Sequence, residues 1–427
     1  MRKLFVLLLI VISFSIPAQD KKREPGPPDH GTQPQMLAAH PELRAFVDYK
    51  QQLQARGQRI ADQGVLIETL DGGERLAEQN SDTPFNPASV MKLATSLVAL
   101  SKFGPDYRFR TDFLVDGEID PGTRWLRGDL VVSGNSDPMF SQADVEQVAR
   151  GLIQAGVSRV RGSLKLTGNF CYFANGYHDK LQPQTSASKL LAGLRRAGIR
   201  IEGGISFGGK SGRLLLSHYS DEMVRILLFQ NAHSSNPVAE VVGDAVGGPS
   251  QIQSFLVTSL GIPESDIFIS RASGLDFNRI TPDGAIKVLR ALISVLDDHS
   301  LKPEDVMPVA GVDSGTLRSR FSSDSVRGAI VAKTGTLASL DGGVSTLVGI
   351  AHTKTGGTLL FAIFDCDGSV RGYRRLQDSF LEEAIEEEGG GVAVSRLMDA
   401  LADFARDSII QIHDRSQSEP ASERLAD

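Results

Sequence analysis

Ser89 and Lys92 place a hydroxyl and an amine three residues apart in an apolar stretch of the chain. If this stretch is helical, the two side chains lie on one face, with about 5–6 Å between their Cβ atoms. That geometry suits a serine nucleophile whose proton is taken by a neutral lysine in a dry site. A second pair, Ser186 and Lys189, is followed by two arginines, which indicate a solvated face. Ser89 and Lys92 are therefore the better catalytic candidates.

Ser234 and Asn236 offer a second hydroxyl and an amide further along the chain. Pro237 disfavours a helical conformation for the residue before it, which predicts a loop here. The competing interpretation is an N-cap for a helix that begins near Pro237. A similar Ser-x-Asn sequence over residues 133–135 ends a predicted strand in a different part of the chain.

Lys333, Thr334, Gly335 and Thr336 follow an apolar run and are predicted to end a strand. A strand edge that carries a lysine, hydroxyls and a closely approached glycine can bind a carboxylate and align an extended substrate. A second Lys-Thr-Gly begins at Lys354, within a predicted hairpin turn, where a lysine is normally solvated. The first of the two sequences is the better candidate.

The elements that must position these motifs follow from the apolar pattern. Residues 88–100 are apolar nearly all round, which predicts a buried helix. Residues 107–173 are predicted to be rich in strands, with an amphipathic helix near 145–153, and this texture indicates an inserted domain. After residue 185 helical patterns return, followed by three predicted strands and a helix at 375–387. The predicted strands cover residues 329–332, 344–352 and 359–365.

Composition excludes several classes of protein. The 427 residues carry 45 Lys and Arg against 52 Asp and Glu, a formal charge of −7, and lack the basic surface that nucleic acid requires. Two cysteines, Cys171 and Cys366, are too few for a disulfide framework and have no metal-ligand spacing. We therefore expect a globular protein with no metal and no organic cofactor.

The N-terminal residues predict export. Arg2 and Lys3 precede an apolar run from Leu4 to Ile12, and Ala18 is a plausible cleavage point. The run is shorter than a bilayer requires, although an uncleaved anchor is the competing interpretation. Residues 19–35, rich in proline, glycine and charge, are expected to form a disordered tether. The predicted location is periplasmic or otherwise extracytoplasmic in a bacterium, with at most peripheral membrane association.

The chain is therefore divided into predicted segments. These are a signal peptide at 1–18, a tether at 19–35, the first part of a catalytic domain at 36–105, an inserted domain at 106–185, the remainder of the catalytic domain at 186–388, and a C-terminal helix with a polar tail at 389–427.

The order Ser-x-x-Lys, Ser-x-Asn and Lys-Thr-Gly is the motif set of penicillin-binding proteins and serine β-lactamases. With accessory stretches at 127–138, 272–275, 280–282 and 307–311, the chain resembles the class C low-molecular-mass penicillin-binding proteins. These are D-alanyl-D-alanine carboxypeptidases and endopeptidases. The resemblance implies an α+β transpeptidase fold of the penicillin-binding and serine β-lactamase type, with an antiparallel sheet sandwiched by helices and a β-rich inserted domain.

The resemblance also implies residue roles. Ser89 would attack the penultimate carbonyl of a D-Ala-D-Ala terminus, and Lys92 would accept its proton. Ser234 would pass a proton to the leaving amine and Asn236 would orient the acyl side. The implied substrate-binding residues are Thr334, Gly335, Thr336 and, for the free amine of the third peptide residue, Asp137, whereas Lys333 would join Thr334 in binding the terminal carboxylate. Stem peptides of peptidoglycan and β-lactams are the expected partners.

Two features depart from that family. The interval between Ser89 and Ser234 is shorter than usual, which implies that one insert is reduced, at about 173–184. A Ser-Arg pair that often follows Ser-Gly-Leu is replaced by Asp276 and Phe277, with Arg279 nearby, so recognition of a side-chain carboxylate is in doubt. A serine β-lactamase and a non-catalytic peptide-binding sensor remain competing hypotheses. Carboxypeptidase and endopeptidase activities both stay open, because they cleave the same D,D bond.

Overall fold

A computed structural model describes residues 42–174, 179–402 and 406–413. The predicted signal peptide at 1–18 and tether at 19–35 lie outside the described residues. The α-helices are α1 (Arg44–Ala55), α2 (Met91–Phe103), α3 (Gln142–Gln154), α4 (Pro183–Arg196), α5 (Met223–Ala232), α6 (Asn236–Val246), α7 (Pro249–Leu260), α8 (Pro282–Asp298) and α9 (Val370–Glu387).

The strands belong to a catalytic-domain sheet, an inserted-domain sheet and a short hairpin. They are β1 (Gln63–Thr69), β2 (Arg75–Gln79), β3 (Arg110–Asp120), β4 (Trp125–Asn135), β5 (Arg159–Val160), β6 (Leu164–Asn169), β7 (Arg200–Ile201), β8 (Ile205–Phe207), β9 (Arg213–Tyr219), β10 (Ile267–Phe268), β11 (Arg279–Ile280), β12 (Ile330–Leu337), β13 (Val344–His352), β14 (Thr358–Asp365) and β15 (Ile409–Ile412).

The catalytic domain is built on an antiparallel sheet with the strand order β12-β13-β14-β1-β2. Alternate residues of β14 face opposite layers, as a strand requires. Leu360, Ala362 and Phe364 pack in the core formed with α2 and α8, whereas Phe361 and Ile363 pack in the core formed with α1 and α9. The predicted α+β fold with a sheet between helical layers is confirmed.

Burial on both faces explains why the three predicted strands are almost continuously apolar in sequence. β12 lies at the edge of this sheet and pairs with β13, with Lys333 opposite Val348. On its other edge, a bridge from Val309 reaches Val331, before the Lys-Thr-Gly residues. The other edge of β12 is therefore open along the residues that carry the Lys-Thr-Gly motif.

The inserted domain has its own sheet and core. Its strands follow the order β15-β9-β3-β4-β5-β7, with β6 pairing with β4 and β8. Helices α3 and α4 contribute apolar residues to the same core, among them Val145, Leu152, Leu190 and Leu194. The prediction ended this domain at residue 185, and the structure extends it to Tyr219. The helical pattern after 185 was assigned to the catalytic domain, whereas the apolar face of α4 covers the inserted sheet.

The C-terminal segment also differs from the prediction. Residues 389–402 and 406–413 contain no helix, so the predicted C-terminal helix is wrong within the described residues. The backbone N–H groups of Val392 and Val394 donate to His352 and Gly328, and Ile409–Ile412 pairs with β9. This segment satisfies its backbone through other parts of the chain rather than through its own turns. The predicted polar tail from residue 414 lies outside the described residues.

Among the residues described, helices are too short or too polar to cross a membrane.

Candidate active site

Ser89 lies in a turn that leads into α2. Residues Ala88–Val90 form one turn of 3₁₀ helix, and Ala88 has a left-handed φ of 48° although it is fully buried. The Asn86 side chain supports this strained turn, because its Oδ1 accepts from the Ala88 N–H at 3.0 Å and its Nδ2 donates to the Asp276 carbonyl at 3.2 Å. Strain of this kind persists only where surrounding contacts enforce it.

Two glycines allow the backbone to approach this turn. Gly274 has a φ of 80°, and a Cβ there would collide with the Ala88 carbonyl oxygen. Gly335 on β12 has no such strain, but a Cβ there would lie 2.5 Å from the Pro87 carbonyl oxygen. The sequence prediction that Gly335 permits a close approach is consistent with this contact, and the approached group is the turn before Ser89.

Lys92 follows one turn later, fully buried, on the same side of the helix as Ser89. Its Nζ donates to Ser89 Oγ at 3.0 Å, to Asn236 Oδ1 at 2.7 Å and to the Ser273 carbonyl at 2.7 Å. These three acceptors occupy all the donors of an ammonium group. The lysine side chain is therefore held with its nitrogen against the serine hydroxyl.

The surroundings of Lys92 destabilise its charged form. Burial lowers the pKa of Lys92 well below its usual range, and the nearby positive charge of Lys333 lowers it further. The carboxylate of Glu240 acts in the opposite direction on the same pKa. A lysine of this kind can be neutral and accept the proton of a nucleophile.

A second lysine lies on the other side of the site. Lys333 is fully buried, and its Nζ donates to Ser234 Oγ at 3.0 Å and to the Thr334 carbonyl at 2.6 Å. Burial lowers the pKa of Lys333 to about 7. Ser234 has a φ of 52° in the turn before α6, and Asn236 is the first residue of that helix. The helix start predicted near Pro237 is therefore present, together with the site contacts.

The structure thus brings together Ser89, Lys92, Ser234, Asn236 and Lys333 through hydrogen bonds. Two hydroxyls each contact one buried lysine, so each has a partner that can accept or return a proton. This arrangement fits acyl transfer to a serine, in which one proton leaves the nucleophile and another reaches the leaving group.

The remaining predicted residues of β12 lie beside this pair. Thr334 Oγ1 donates to Thr316 Oγ1 at 2.9 Å, and Thr336 Oγ1 accepts from Arg374 Nη2 at 2.7 Å. Thr334 is buried and Thr336 is partly exposed.

Three contributors to the site were missed from sequence. The Ser273 carbonyl faces Lys92, and the Ser273 N–H donates to Glu240 Oε1 at 3.1 Å. Glu240 lies four residues after Asn236 on α6, and Arg271 Nε pairs with it at 3.2 Å. The i, i+4 spacing on one helix was the available signal for Glu240. No sequence signal identified Arg374, because its contact with Thr336 forms only in the folded chain.

The structure does not place Asp137 among the active-site contacts, and its predicted substrate role stays a prediction. Its side chain is buried in the inserted domain, where Oδ1 accepts from the Met139 N–H at 2.9 Å and Oδ2 lies 3.6 Å from His218 Nδ1. Burial raises the pKa of Asp137, and the neighbouring Asp144 adds to this. Asp137 shapes the turn before Pro138, the ordinary role of Asp in that position, and is not exposed to a ligand.

The alternative motifs lie apart from this cluster. Ser186 is a buried residue of α4 in the inserted domain, residues 133–135 end β4, and Lys354 is exposed in the turn between β13 and β14.

Arg279, the arginine near the altered Ser-Gly-Leu segment, is already engaged. It pairs with Asp341 at 3.1 Å, and its guanidinium lies 3.9 Å from the centroid of the exposed Phe277 ring.

Neither cysteine is a competing nucleophile. Burial raises the pKa of Cys171 and of Cys366 to about 12, so both thiols stay protonated near neutral pH. Within the described ranges, no group of three or more His, Cys, Asp or Glu side chains is arranged to hold a metal ion.

Comparisons with known proteins agree with this geometry. The model of the D-Ala-D-Ala carboxypeptidase 3 (S13) family matches residues 50–178 and 164–377. A D-alanyl-D-alanine carboxypeptidase from an Actinomadura species is 37% identical over 101 residues, 24% of this chain and 18% of that protein. Carboxypeptidase DacB of Mycolicibacterium smegmatis is 27% identical over 353 residues, 70% of this chain and 75% of that protein.

Solved structures share the fold. The predatory endopeptidase Bd0816 of Bdellovibrio bacteriovorus, in complex with the immunity protein Bd3460, has a TM-score of 0.70 at 22% identity, covering 82% of this chain and 99% of that chain. Penicillin binding protein 4 (dacB) of Haemophilus influenzae has a TM-score of 0.64 at 19% identity, covering 79% and 98% respectively. At these identities the likeness concerns architecture alone.

Proposed function

This chain belongs to the D-Ala-D-Ala carboxypeptidase 3 (S13) family, and on that premise we propose that it is a serine D,D-peptidase of peptidoglycan. Its substrate would be a stem peptide ending in D-Ala-D-Ala, or the equivalent D,D cross-link. The observation that carries the proposal is the fully buried Lys92, whose Nζ lies 3.0 Å from Ser89 Oγ and also contacts Asn236. A non-catalytic peptide-binding protein would not need a serine hydroxyl in contact with a buried, neutral lysine.

The first half-reaction forms an acyl-enzyme. Ser89 Oγ attacks the carbonyl carbon of the penultimate D-Ala, and the hydroxyl proton passes to Lys92 Nζ. Backbone N–H groups of Ser89 and Thr336 would bind the developing oxyanion, each contributing on the order of 3–4 kcal/mol. When the C–N bond breaks, Ser234 would give its hydroxyl proton to the leaving amine and recover the proton that Lys92 had taken from Ser89, while Lys333 contacts the Ser234 hydroxyl. Lys92 is then neutral again in the acyl-enzyme.

The second half-reaction restores the enzyme. Water attacks the ester carbonyl of acylated Ser89 and gives one proton to the neutral Lys92. When the bond between the carbonyl carbon and Ser89 Oγ breaks, Lys92 returns that proton to Ser89, and the peptide leaves as a carboxylic acid. Asn236 would orient the acyl side by its amide, while β12 would align the peptide along its open edge. β-Lactams would enter the same path and acylate Ser89, since their strained amide presents the same reacting carbonyl.

Release of D-Ala tests this proposal directly. We expect the full chain to release D-Ala from a soluble pentapeptide ending in D-Ala-D-Ala, or to cleave a D,D cross-linked dimer, and the S89A variant to do neither. Rapid hydrolysis of penicillin with no action on either peptide would instead identify a serine β-lactamase. Binding of peptide without any turnover would identify a sensor.

We also propose an extracytoplasmic location, supported by the charged start and short apolar run within residues 1–18. We expect the protein recovered from the periplasm of a producing bacterium to begin after Ala18. A cytoplasmic protein that retains Met1 would contradict this.

A further inference from the structure

A cation reaches the active site from the other side of the sheet. Arg374 lies near the start of α9, and its Nη2 donates to Thr336 Oγ1 at 2.7 Å. The residue is exposed, and among the described residues no carboxylate lies within ion-pair distance of its guanidinium. The neighbouring Asp378 is already paired with Arg320 at 2.6 Å. Arg374 therefore lies beside β12 with no ion-pair partner among the described residues, although Asp378 acts on its pKa from a greater distance.

Lys333, the residue expected to bind a terminal carboxylate, already has other hydrogen-bond partners. Lys333 is buried, and its Nζ is occupied by Ser234 Oγ and by the Thr334 carbonyl. With a pKa of about 7, it is neutral for much of the time near physiological pH. Burial and the neighbouring Arg320 lower the pKa of Arg374 too, but a guanidinium remains protonated throughout this range.

The distances suit a carboxylate at Arg374. Thr334 and Thr336 lie on one side of the edge strand β12, since side chains alternate along a strand. If the Thr336 N–H holds the scissile carbonyl oxygen, the terminal carboxylate follows within one residue, about 3.3–3.8 Å further along the peptide. The Arg374 guanidinium contacts the Thr336 hydroxyl, so it lies at the same residue of β12 as that carbonyl contact.

We propose that Arg374 is a specificity-determining residue, whose guanidinium binds the C-terminal carboxylate of the peptide beside the Thr336 hydroxyl. This assignment rests on the proposed D,D-peptidase function. A planar guanidinium can hold a carboxylate through two parallel hydrogen bonds, which a single ammonium cannot do. The enzyme is therefore selective for substrates with a free terminal acid.

Paired substrates test this role in the full-length protein. One peptide ends in D-Ala-D-Ala with a free carboxylate, and its partner carries a C-terminal amide. We expect R374Q to lower kcat/KM for the acid by about ten- to a hundredfold, mainly through KM, and to leave the amide nearly unchanged. R375Q is the matched control, because it removes the adjacent exposed charge and should change neither value.

Acylation of Ser89 by a penicillin and by its methyl ester repeats the comparison without peptide turnover. A selective loss with the free acid supports the assignment. Equal losses with acid and ester would mean that Arg374 only supports Thr336, and an unchanged acid rate would also overturn the proposal. If neither peptide is hydrolysed, the proposed function fails, and the penicillin pair still decides the role of Arg374.

Discussion

Two regions of this protein bury ionisable side chains, and they do so in opposite ways. In the active site, the side chains of Lys92 and Lys333 are both fully buried, and burial lowers the pKa of each. The positive charge of Lys333 lowers the pKa of Lys92 further. In the inserted domain, Arg406 pairs with Asp144 at 3.2 Å and with Asp221, and His218 Nε2 lies 3.1 Å from Asp144. One region buries like charges and the other buries opposite charges.

The pKa values follow this difference. Burial alone would raise the pKa of Asp144, but His218 and Arg406 lower it to about 2, so it stays charged. Burial lowers the pKa of Lys333 to about 7 with no carboxylate opposing it. In the active site the missing counter-charge leaves Lys333 able to gain or lose a proton near neutral pH, which suits chemistry. Where the counter-charge is present, the same burial serves to hold elements together.

The largest expected effect comes from removing the base. K92M should lower the rate of acylation by penicillin about a thousandfold or more, because Ser89 loses its proton acceptor. The free energy of unfolding should change by no more than about 1 kcal/mol, since the lost hydrogen bonds are offset by relief of a buried charge. Stopped-flow acylation and urea unfolding measure the two quantities.

The matched control is K189M, in the second Ser-x-x-Lys sequence on α4, which should acylate at the normal rate. Near-normal acylation by K92M would show that a different group accepts the Ser89 proton.

Removing a charge from the paired region should have the reverse outcome. R406M leaves Asp144 and Asp221 buried without their cation, and we expect it to cost about 3 kcal/mol of unfolding free energy. Acylation by the folded fraction should stay within about twofold of the normal rate. Urea unfolding at pH 7 measures the free energy of unfolding of R406M. If it equals that of the unmodified protein, the two regions do not differ in the way proposed.

Lys333 should also leave a signature in the pH dependence of stability. Its pKa is about 7 in the folded protein and 10.5 as its ordinary value, so between these limits the unfolded chain binds a proton that the folded chain does not. Stability from this group therefore rises with pH through that window. From pH 7 to pH 9 the gain is about 2 kcal/mol, and K333M should lack it. Parallel pH slopes for both proteins would contradict the lowered pKa.

The smallest effect concerns Glu240, a carboxylate that raises the pKa of Lys92. E240Q keeps an oxygen acceptor for the Ser273 N–H but removes the charge that raises the pKa of Lys92. Because the reaction needs neutral Lys92, the rising limb of the acylation rate against pH should move to lower pH. D244N, on the same helix and paired with Lys180, should leave the limb in place. If D244N moves the rising limb, or if E240Q leaves it in place, this electrostatic role of Glu240 is excluded.

The local parts of the site were predictable from sequence. Ser89 and Lys92 share a helix face, and Lys333 follows an apolar run within β12, so short-range spacing identified them. The strand was expected to end at the Lys-Thr-Gly residues, and it continues to Leu337. Arg374 acts through a contact between distant segments, which no local pattern contains. For Glu240 the available signal was its i, i+4 spacing from Asn236 on α6. Asp137 precedes Pro138, and that pair has the same appearance in a turn and at a ligand site. Only the burial of the Asp137 side chain in the structure favours the turn over the ligand site.

The fold shows the same division. The strands of the catalytic sheet were predicted because burial on both faces makes them uniformly apolar. The limit of the inserted domain was placed too early, since the apolar face of α4 does not reveal which sheet it covers. The segment at 409–412 was taken as part of a helix, whereas its pairing with β9 decides its conformation.

The central claim is that the two buried lysines make Ser89 the acylated nucleophile, and intact-mass analysis tests it most directly. After incubation with a penicillin, the account predicts one penicilloyl group per chain, mapped to Ser89, that persists after the free penicillin is removed. The S89A variant should acquire none. An adduct on Ser186, an unmodified chain, or penicillin that is hydrolysed without accumulation of the adduct would contradict the account.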